Sequence, residues 1–320
     1  MTGRFTSRFQ EALEAFLHQK QAVGFPYQSG TYILQAFDRF CATYYPEADT
    51  LTREVVLAWA ARRPGEHVNT LARRLTPLRQ FAQYLQGLGI PAYVLPPGLP
   101  GHRIRYVPHI YTPAELAAFF RAADQIPADP HSPGRHWVIP VIFRVLYCGG
   151  LRAGEVTRLT VDDVDLTTGI LHIRGGKGSK DRRVPLAPEV WALCRAYDHQ
   201  VRSRWPQRTA FFPNPRGSPY SRHFLDAAFH AVWARAGLGV VAGNPPRVHD
   251  FRHTFAVHRL NQWVQDHRDV AALLPYLTMY LGHANPTATD YYLHLVPDFF
   301  PVLTAASAAR HAALIPAVTP

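Results

Sequence analysis

A chain of 320 residues, 47% of them hydrophobic, is long enough for two compact units and apolar enough to give each a core. Charge or proline interrupts every apolar stretch before it reaches bilayer length, and residues 1–10 hold no apolar run. Neither a membrane span nor a secretory leader is therefore expected, and the chain is placed in the cytoplasm. The three cysteines, Cys41, Cys148 and Cys194, are far apart and form no C-x-x-C pair, which argues against a disulfide framework and a zinc ribbon.

The formal net charge of +11 suggests a polyanionic partner. Of the 34 basic residues only Lys20, Lys177 and Lys180 are lysines. A guanidinium meets phosphate through two parallel donors, which suits DNA, although a GC-rich genome would produce the same bias. Against that background, two lysines within one four-residue span point to a need for lysine chemistry.

In chain order, apolar residues at three-to-four spacing predict helices over Phe9–Val23, Thr31–Thr43, Arg53–Ala61 and Val68–Leu88. In the last, Leu71, Leu75, Leu78, Phe81, Ala82 and Leu85 form one stripe. Arg73, Arg74 and Arg79 are assigned to the remaining face, as contacts to a DNA backbone or as a solvated surface. From Gly89 to Tyr111 proline and glycine crowd the chain and exclude a regular helix or central strand. The basic run His102–Tyr106 adds Arg103 and Arg105. The expectation is a helical domain over 1–100 and an extended basic linker over 101–111, whose arginines would contact DNA.

A second domain over 112–297 opens at Thr112-Pro113-Ala114-Glu115, an N-cap followed by proline at N1 and an acid at N3. After further helices, Gly169–Arg174 and Arg182–Leu186 are expected as strands joined by the turn 175–181, with Ala210–Pro213 as a short third strand. Helix returns from Arg222. The predicted fold is mainly α with a small antiparallel β-sheet, followed by a tail over 298–320.

Four stretches carry the chemistry: Gly150-Leu-Arg-Ala-Gly-Glu155, Gly176-Lys-Gly-Ser-Lys180, His249-Asp-Phe-Arg252 and Leu281-Gly-His283, with Tyr292 nine residues beyond His283. In this order they resemble the active-site signature of the tyrosine recombinase (phage integrase) family, over residues 112–296. The resemblance implies a helical core-binding domain followed by an α+β catalytic domain. It implies Arg152, Lys177, His249, Arg252, His283 and Tyr292 as catalytic residues, with Glu155 in support. Two departures are visible: an extra glycine in the hairpin turn, Gly175-Gly176, and a long span between Arg252 and His283. The second resembles a branch of the family carried by transposons.

These residue types suit the reaction. Phosphoryl transfer from a DNA strand to a phenol builds charge on the non-bridging oxygens, and Arg152 and Arg252 can stabilise it bidentately with no metal or other cofactor. A phenol with pKa near 10 is about 0.1% ionised at pH 7, a deficit of roughly 4 kcal/mol. His249 as base and the surrounding cations offset part of that. Lys177 can protonate the departing 5′-oxygen, while Lys180 serves as a backbone contact or plain surface. His283, just ahead of an Asn285-Pro286 helix start, can hydrogen-bond the phosphate. The product is a 3′-phosphotyrosyl link that conserves the energy of the cleaved bond, so rejoining needs no ATP.

The implied partners are double-stranded DNA with inverted binding sites and further copies of the chain, in a tetramer on DNA. Phe299, Phe300, Val302, Leu303, Ala306 and Leu314 in the tail would dock on a neighbouring protomer, as the resemblance implies, or pack on their own domain. Three other readings compete: a DNA-binding protein that does not cut, a type IB-like topoisomerase, and a zinc hydrolase built on His249 and His253. In the zinc reading Asp250 stands where a glutamate is needed, and Arg252 would oppose a dication.

Overall fold

The computed structural model describes residues 5–99, 101, 104, 106–175, 181–239, 245–283, 285 and 287–295. These residues divide into two compact units, one ending at Tyr106 and one beginning at Val107.

The first unit is built from α1 (Gln10–Ala22), α2 (Gln28–Tyr44), α3 (Arg53–Ala60) and α4 (Val68–Gly87). Its core gathers Leu13, Phe16, Leu34, Phe37 and Trp59 around the α4 stripe, whose six predicted members are all buried. Helix α2 begins three residues ahead of the expected start. Tyr27 takes a left-handed conformation (φ 49°) and its ring lies where a side chain at Gly30 would stand, so the bare Gly30 is what lets the turn close. Beyond α4 the chain stays close to its unit. Tyr93 donates to the Leu51 carbonyl (2.8 Å), and Asn69 exchanges two hydrogen bonds with the backbone of Ile104 (2.7 and 3.0 Å).

The second unit opens with α5 (Pro113–Asp124), whose start is the predicted capping box between Thr112 and Glu115. It continues through α6 (Arg135–Cys148) and the single turn α7 (Ala153–Val156). A three-stranded antiparallel sheet follows in the order β1 (Val164–Asp165), β2 (Ile170–Ile173), β3 (Arg182–Pro185). Then come α8 (Pro188–Arg204), α9 (Arg222–Arg235), α10 (Asp250–Gln265), α11 (Val270–Leu281) and α12 (Thr287–Leu293). The third strand is thus Val164–Asp165, not the expected Ala210–Pro213. That segment is drawn to Leu159–Val161, with Phe211 N–H donating to the Leu159 carbonyl (2.8 Å) and Val161 N–H to that of the adjoining Thr209 (2.9 Å), and it sinks Phe211 and Phe212 into the core, which leaves it one isolated bridge to Thr160. Among the described residues no helix is long and apolar enough to cross a membrane.

The core of this unit is aromatic and centred on Phe251. Its ring meets those of Tyr111, Phe119, Phe229, Phe143, Phe120 and Tyr147 at centroid distances of 4.8 to 6.2 Å. Phe251 stands between Asp250 and Arg252, so the same turn of α10 supplies the core and the site. Phe251→Ala should cost about 3–5 kcal/mol by lost transfer energy and an unfilled cavity. Urea denaturation read by a probe in this unit checks it. A loss below about 1 kcal/mol would mean that the neighbouring rings collapse into the space.

Candidate active site

Six of the predicted site residues come together from four elements. Arg152 caps α7 and Glu155 lies within it, His249 and Arg252 open α10, His283 follows α11, and Tyr292 lies on α12. Lys177 and Lys180 lie outside the described residues, as do Arg103 and Arg105.

Arg152 sits at the N-cap of α7 with about a fifth of its side chain exposed. Its Nη1 donates to Glu155 Oε1 (2.7 Å) and its Nη2 to the Gly282 carbonyl (3.1 Å). Arg252 is 1% exposed; Nη1 donates to the Gly150 carbonyl (2.7 Å) and Nη2 to that of Leu281. The backbone at Gly150 permits this. Its φ is +56°, and a Cβ there would come within 2.7 Å of the Phe255 ring. Burial, together with the charge of Arg152, pulls the Arg252 guanidinium down to about 10, still charged at neutral pH.

Glu155 is the carboxylate among these cations. Burial pushes it up, but the side-chain bonds from Arg182 and the backbone bond from Arg152 outweigh that and bring it down to about 2.

The histidines respond in the opposite sense. Burial, and then the charges of Arg252 and its neighbours, lower both His249 and His283 to about 4, so both imidazoles are neutral at pH 7. Thr289, fully buried, holds His283 Nδ1 at 2.7 Å and is itself held by Thr278 (2.9 Å), so Nδ1 is engaged within the protein. Tyr292 is 2% exposed. Its ring stacks on His283 (6.1 Å between centroids, 22° between planes) and lies 5.5 Å from that of His253. Burial raises its phenol above the usual value, against the lowering charge and hydrogen bond of Arg252.

A phenol inside a cluster of guanidiniums and neutral imidazoles is the constellation of a phosphoryl-transfer site. The phage integrase family model matches residues 121–298. The Sinorhizobium fredii protein named integrase/recombinase y4rE is 36% identical over 289 residues, spanning 88% of this chain and 90% of its own. The chain belongs to the phage integrase family. The tyrosine recombinase XerD of Bifidobacterium longum is 30% identical over 269 residues, with 79% of this chain and 80% of its own covered. The fold matches that of a lambda integrase tetramer bound to a Holliday junction, with a TM-score of 0.63 at 14% identity over 88% of this chain and 76% of that one. These likenesses make the chain a tyrosine-type recombinase and favour it over the non-cleaving, topoisomerase and zinc readings. Asp250, moreover, is fully buried and accepts from the Arg247 backbone (3.0 Å) and guanidinium (3.2 Å). Among the described residues no three His, Cys, Asp or Glu side chains are grouped to hold a metal.

In the first unit of this recombinase the three α4 arginines part ways. Arg73 is exposed. Arg79 is drawn to the carbonyls of Leu95, Pro96 and Leu99 (2.9, 3.0 and 3.0 Å). Arg74 departs from the expected surface position: it is buried, forks onto Glu66 (3.0 and 2.8 Å), and donates to the carbonyls of Trp59 and Ala61. Helical phase explains it, because position 74 lies three residues after Leu71 and four before Leu78, on the apolar stripe itself.

Three residues of the site were missed. Arg182 grips Glu155, Thr289 orients His283, and His253 stands beside both His249 (4.8 Å between rings) and Tyr292. In the sequence His253 is marked only by its zinc-like spacing from His249. It is lowered to about 3 by burial and then by His249, Arg247 and Arg252, and its buried Nδ1 finds no hydrogen-bond partner among the described residues.

These shifts set the acid response. The imidazoles sit below their ordinary 6.5, so the unfolded chain takes up their protons first, and stability falls as pH drops below about 6.5. Glu155 sits below its ordinary 4.5, so its contribution is complete above that value and is lost as pH falls towards 2. Urea midpoints against pH should show both limbs, and Glu155→Gln should flatten only the lower one. An unchanged lower limb would remove Glu155 as its source.

Proposed function

We propose that this recombinase cleaves and rejoins DNA at specific sites through Tyr292, without metal or ATP. The observation that carries the reading is the Tyr292 phenol, buried beside the rings of His253 and His283 and under the lowering charge of the buried Arg252.

Arg152 and Arg252 clamp the non-bridging oxygens of the scissile phosphate and stabilise the charge that grows there. His249, neutral at pH 7, accepts the phenolic proton as the Tyr292 oxygen attacks phosphorus. The bond from phosphorus to the 5′-oxygen breaks, Lys177 supplies the proton to that oxygen, and a 3′-phosphotyrosyl link and a 5′-hydroxyl result. Attack by the 5′-hydroxyl of a partner strand reverses these steps and releases Tyr292. His283 donates from Nε2 to the phosphate, and Lys180 contacts the backbone.

The substrate is duplex DNA with inverted sites, synapsed by four copies of the chain in the cytoplasm. The long span from Arg252 to His283, which takes in the rest of α10 and all of α11, supports a recombinase carried on a transposon. In the first unit a groove of about 960 Å³ is lined by Tyr27, Gln28, Asn69, Arg73, Thr76 and Gln80. Its lining also takes in Pro26, Ile33, Pro77 and Ile104, and the exposed Arg73 among them can reach phosphate. Arg79, which holds the backbone carbonyls of Leu95, Pro96 and Leu99, and Arg103 and Arg105, which lie outside the described residues, are the further candidates for phosphate contact. Arg73→Ala should reduce the slope of log affinity against log salt by about 0.9, the loss of one phosphate contact. An unchanged slope would take α4 out of the interface.

Tyr292→Phe removes only the attacking oxygen, so folding and site binding should survive while the covalent complex on a nicked suicide substrate disappears. Tyr291→Phe should still trap it, in EDTA as in magnesium. Peptide mapping decides between the adjacent tyrosines. An adduct on Tyr291, an active Tyr292→Phe enzyme, or activity that EDTA abolishes and magnesium restores would overturn the assignment.

A further inference from the structure

Arg182 is the first residue of β3, and strand alternation turns it to the same side as the buried Val184. Its side chain is only 9% exposed. Nη1 and Nη2 grip the two oxygens of Glu155 (3.0 and 2.8 Å), and Nε donates to the Tyr280 carbonyl at the end of α11 (2.8 Å). Gly282 makes room for it. With φ at +64°, a Cβ there would stand 3.1 Å from both Cδ and Nη1 of Arg182. Glu155 in turn accepts from the Arg152 backbone (2.9 Å) and from its Nη1 (2.7 Å), while Arg152 Nη2 reaches the Gly282 carbonyl (3.1 Å).

We propose that Arg182 is a positioning residue for the phosphate clamp, acting through Glu155 to hold the Arg152 guanidinium open to substrate. The inference rests on the reading of Arg152 as a clamp. A carboxylate beside a lone arginine closes on it with both oxygens and occupies two of its donors. Here the bidentate site on Glu155 is taken by Arg182. Arg152 therefore engages Glu155 through one side-chain nitrogen and keeps donors for the scissile phosphate. The Nε bond to Tyr280 fixes Arg182 to the helix end that also seats Arg152, so the two guanidiniums cannot exchange places without breaking it.

The test is single-turnover formation of the covalent complex by the full chain at saturating protein, on two nicked suicide substrates. One carries the natural scissile phosphate. The other carries a methylphosphonate, in which a methyl group replaces one non-bridging oxygen, so the charge that needs the clamp is gone. Arg152→Ala is the control for the parent reading. Arg182→Gln should slow the natural substrate by at least about 10-fold and the methylphosphonate by less than about 3-fold, in the manner of a lost electrostatic contact. Arg182→Lys keeps a charge beside Glu155 but not the fork. It should fall between parent and Arg182→Gln, and it carries the same comparison if Arg182→Gln does not fold. If Arg152→Ala is rescued by the methylphosphonate and the Arg182 variants are not, Arg182 only supports the fold and the proposal is overturned. Failure to rescue Arg152→Ala would remove the clamp reading, and the proposal with it.

Discussion

The last carbonyls of α11 are the feature on which the site depends. Those of Tyr280, Leu281 and Gly282 accept, in that order, from Arg182, Arg252 and Arg152. A helix end carries roughly half a negative charge on such unsatisfied carbonyls, and cations gather there with favourable energy. Each carbonyl here receives a different guanidinium, from β3, from the first turn of α10 and from the cap of α7. Three elements distant in sequence are thereby fixed to one helix terminus. With Glu155 as the only carboxylate bonded to any of the three among the described residues, the assembly retains excess positive charge. A buried excess of that kind is costly until an anion enters, and a scissile phosphate is such an anion.

The same excess governs the titrating groups around it. His249 and His283 are kept neutral by burial and by the neighbouring guanidiniums, the state that the proposed base role of His249 requires. Tyr292 feels the cations too, yet its burial outweighs them and the phenol stays protonated. In the proposed reaction the charge of an incoming phosphate raises both the imidazole and the phenol values. That strengthens the imidazoles as bases, and it disfavours the phenolate until the proton leaves in the same step. In that proposal deprotonation accompanies attack instead of preceding it. The seat of His283 fits this. Thr289 stands two residues after the start of α12 and three before Tyr292, so the helix that carries Tyr292 also orients His283.

Much of this was legible in the sequence because the chemistry demands particular residue types at particular spacings. The four motifs and the ninth-residue tyrosine are of that kind, and so is the capping box at Thr112, where two side chains satisfy two orphan donors. What escaped detection had a weaker local signature. Arg182 is one arginine among many, and only the alternation Arg182, Val184 on a buried strand face marks it as a charge that requires a partner. Arg74 was misplaced by composition, since arginine suggests surface, whereas helical phase put it on the stripe with Leu71, Leu75 and Leu78. Thr289 had no visible cue, because its role depends on α11 and α12 meeting across a turn. The third strand went wrong for a related reason. Phe211 and Phe212 have the sequence of a strand, but burial of both rings carries the segment away from the sheet edge that Val164–Asp165 occupies.

The segment His249–His253 shows how little freedom remains at the centre of the site. Each of its five side chains meets a different demand. His249 faces the cationic cluster and Asp250 fastens Arg247. Phe251 fills the aromatic core, Arg252 reaches back to Gly150 and Leu281, and His253 stands against Tyr292. A helix turns about 100° per residue, so five consecutive positions sweep the whole circumference and every direction is used. An insertion within this turn would rotate the core residue into the site or the arginine into the core. The long span that follows escapes that constraint. Beyond the buried Thr254, Phe255, Ala256, Val257 and Leu260 the chain has to bring the carbonyl end of α11 back to Arg252, and it can add residues between α10 and α11 while the three guanidiniums keep their seats.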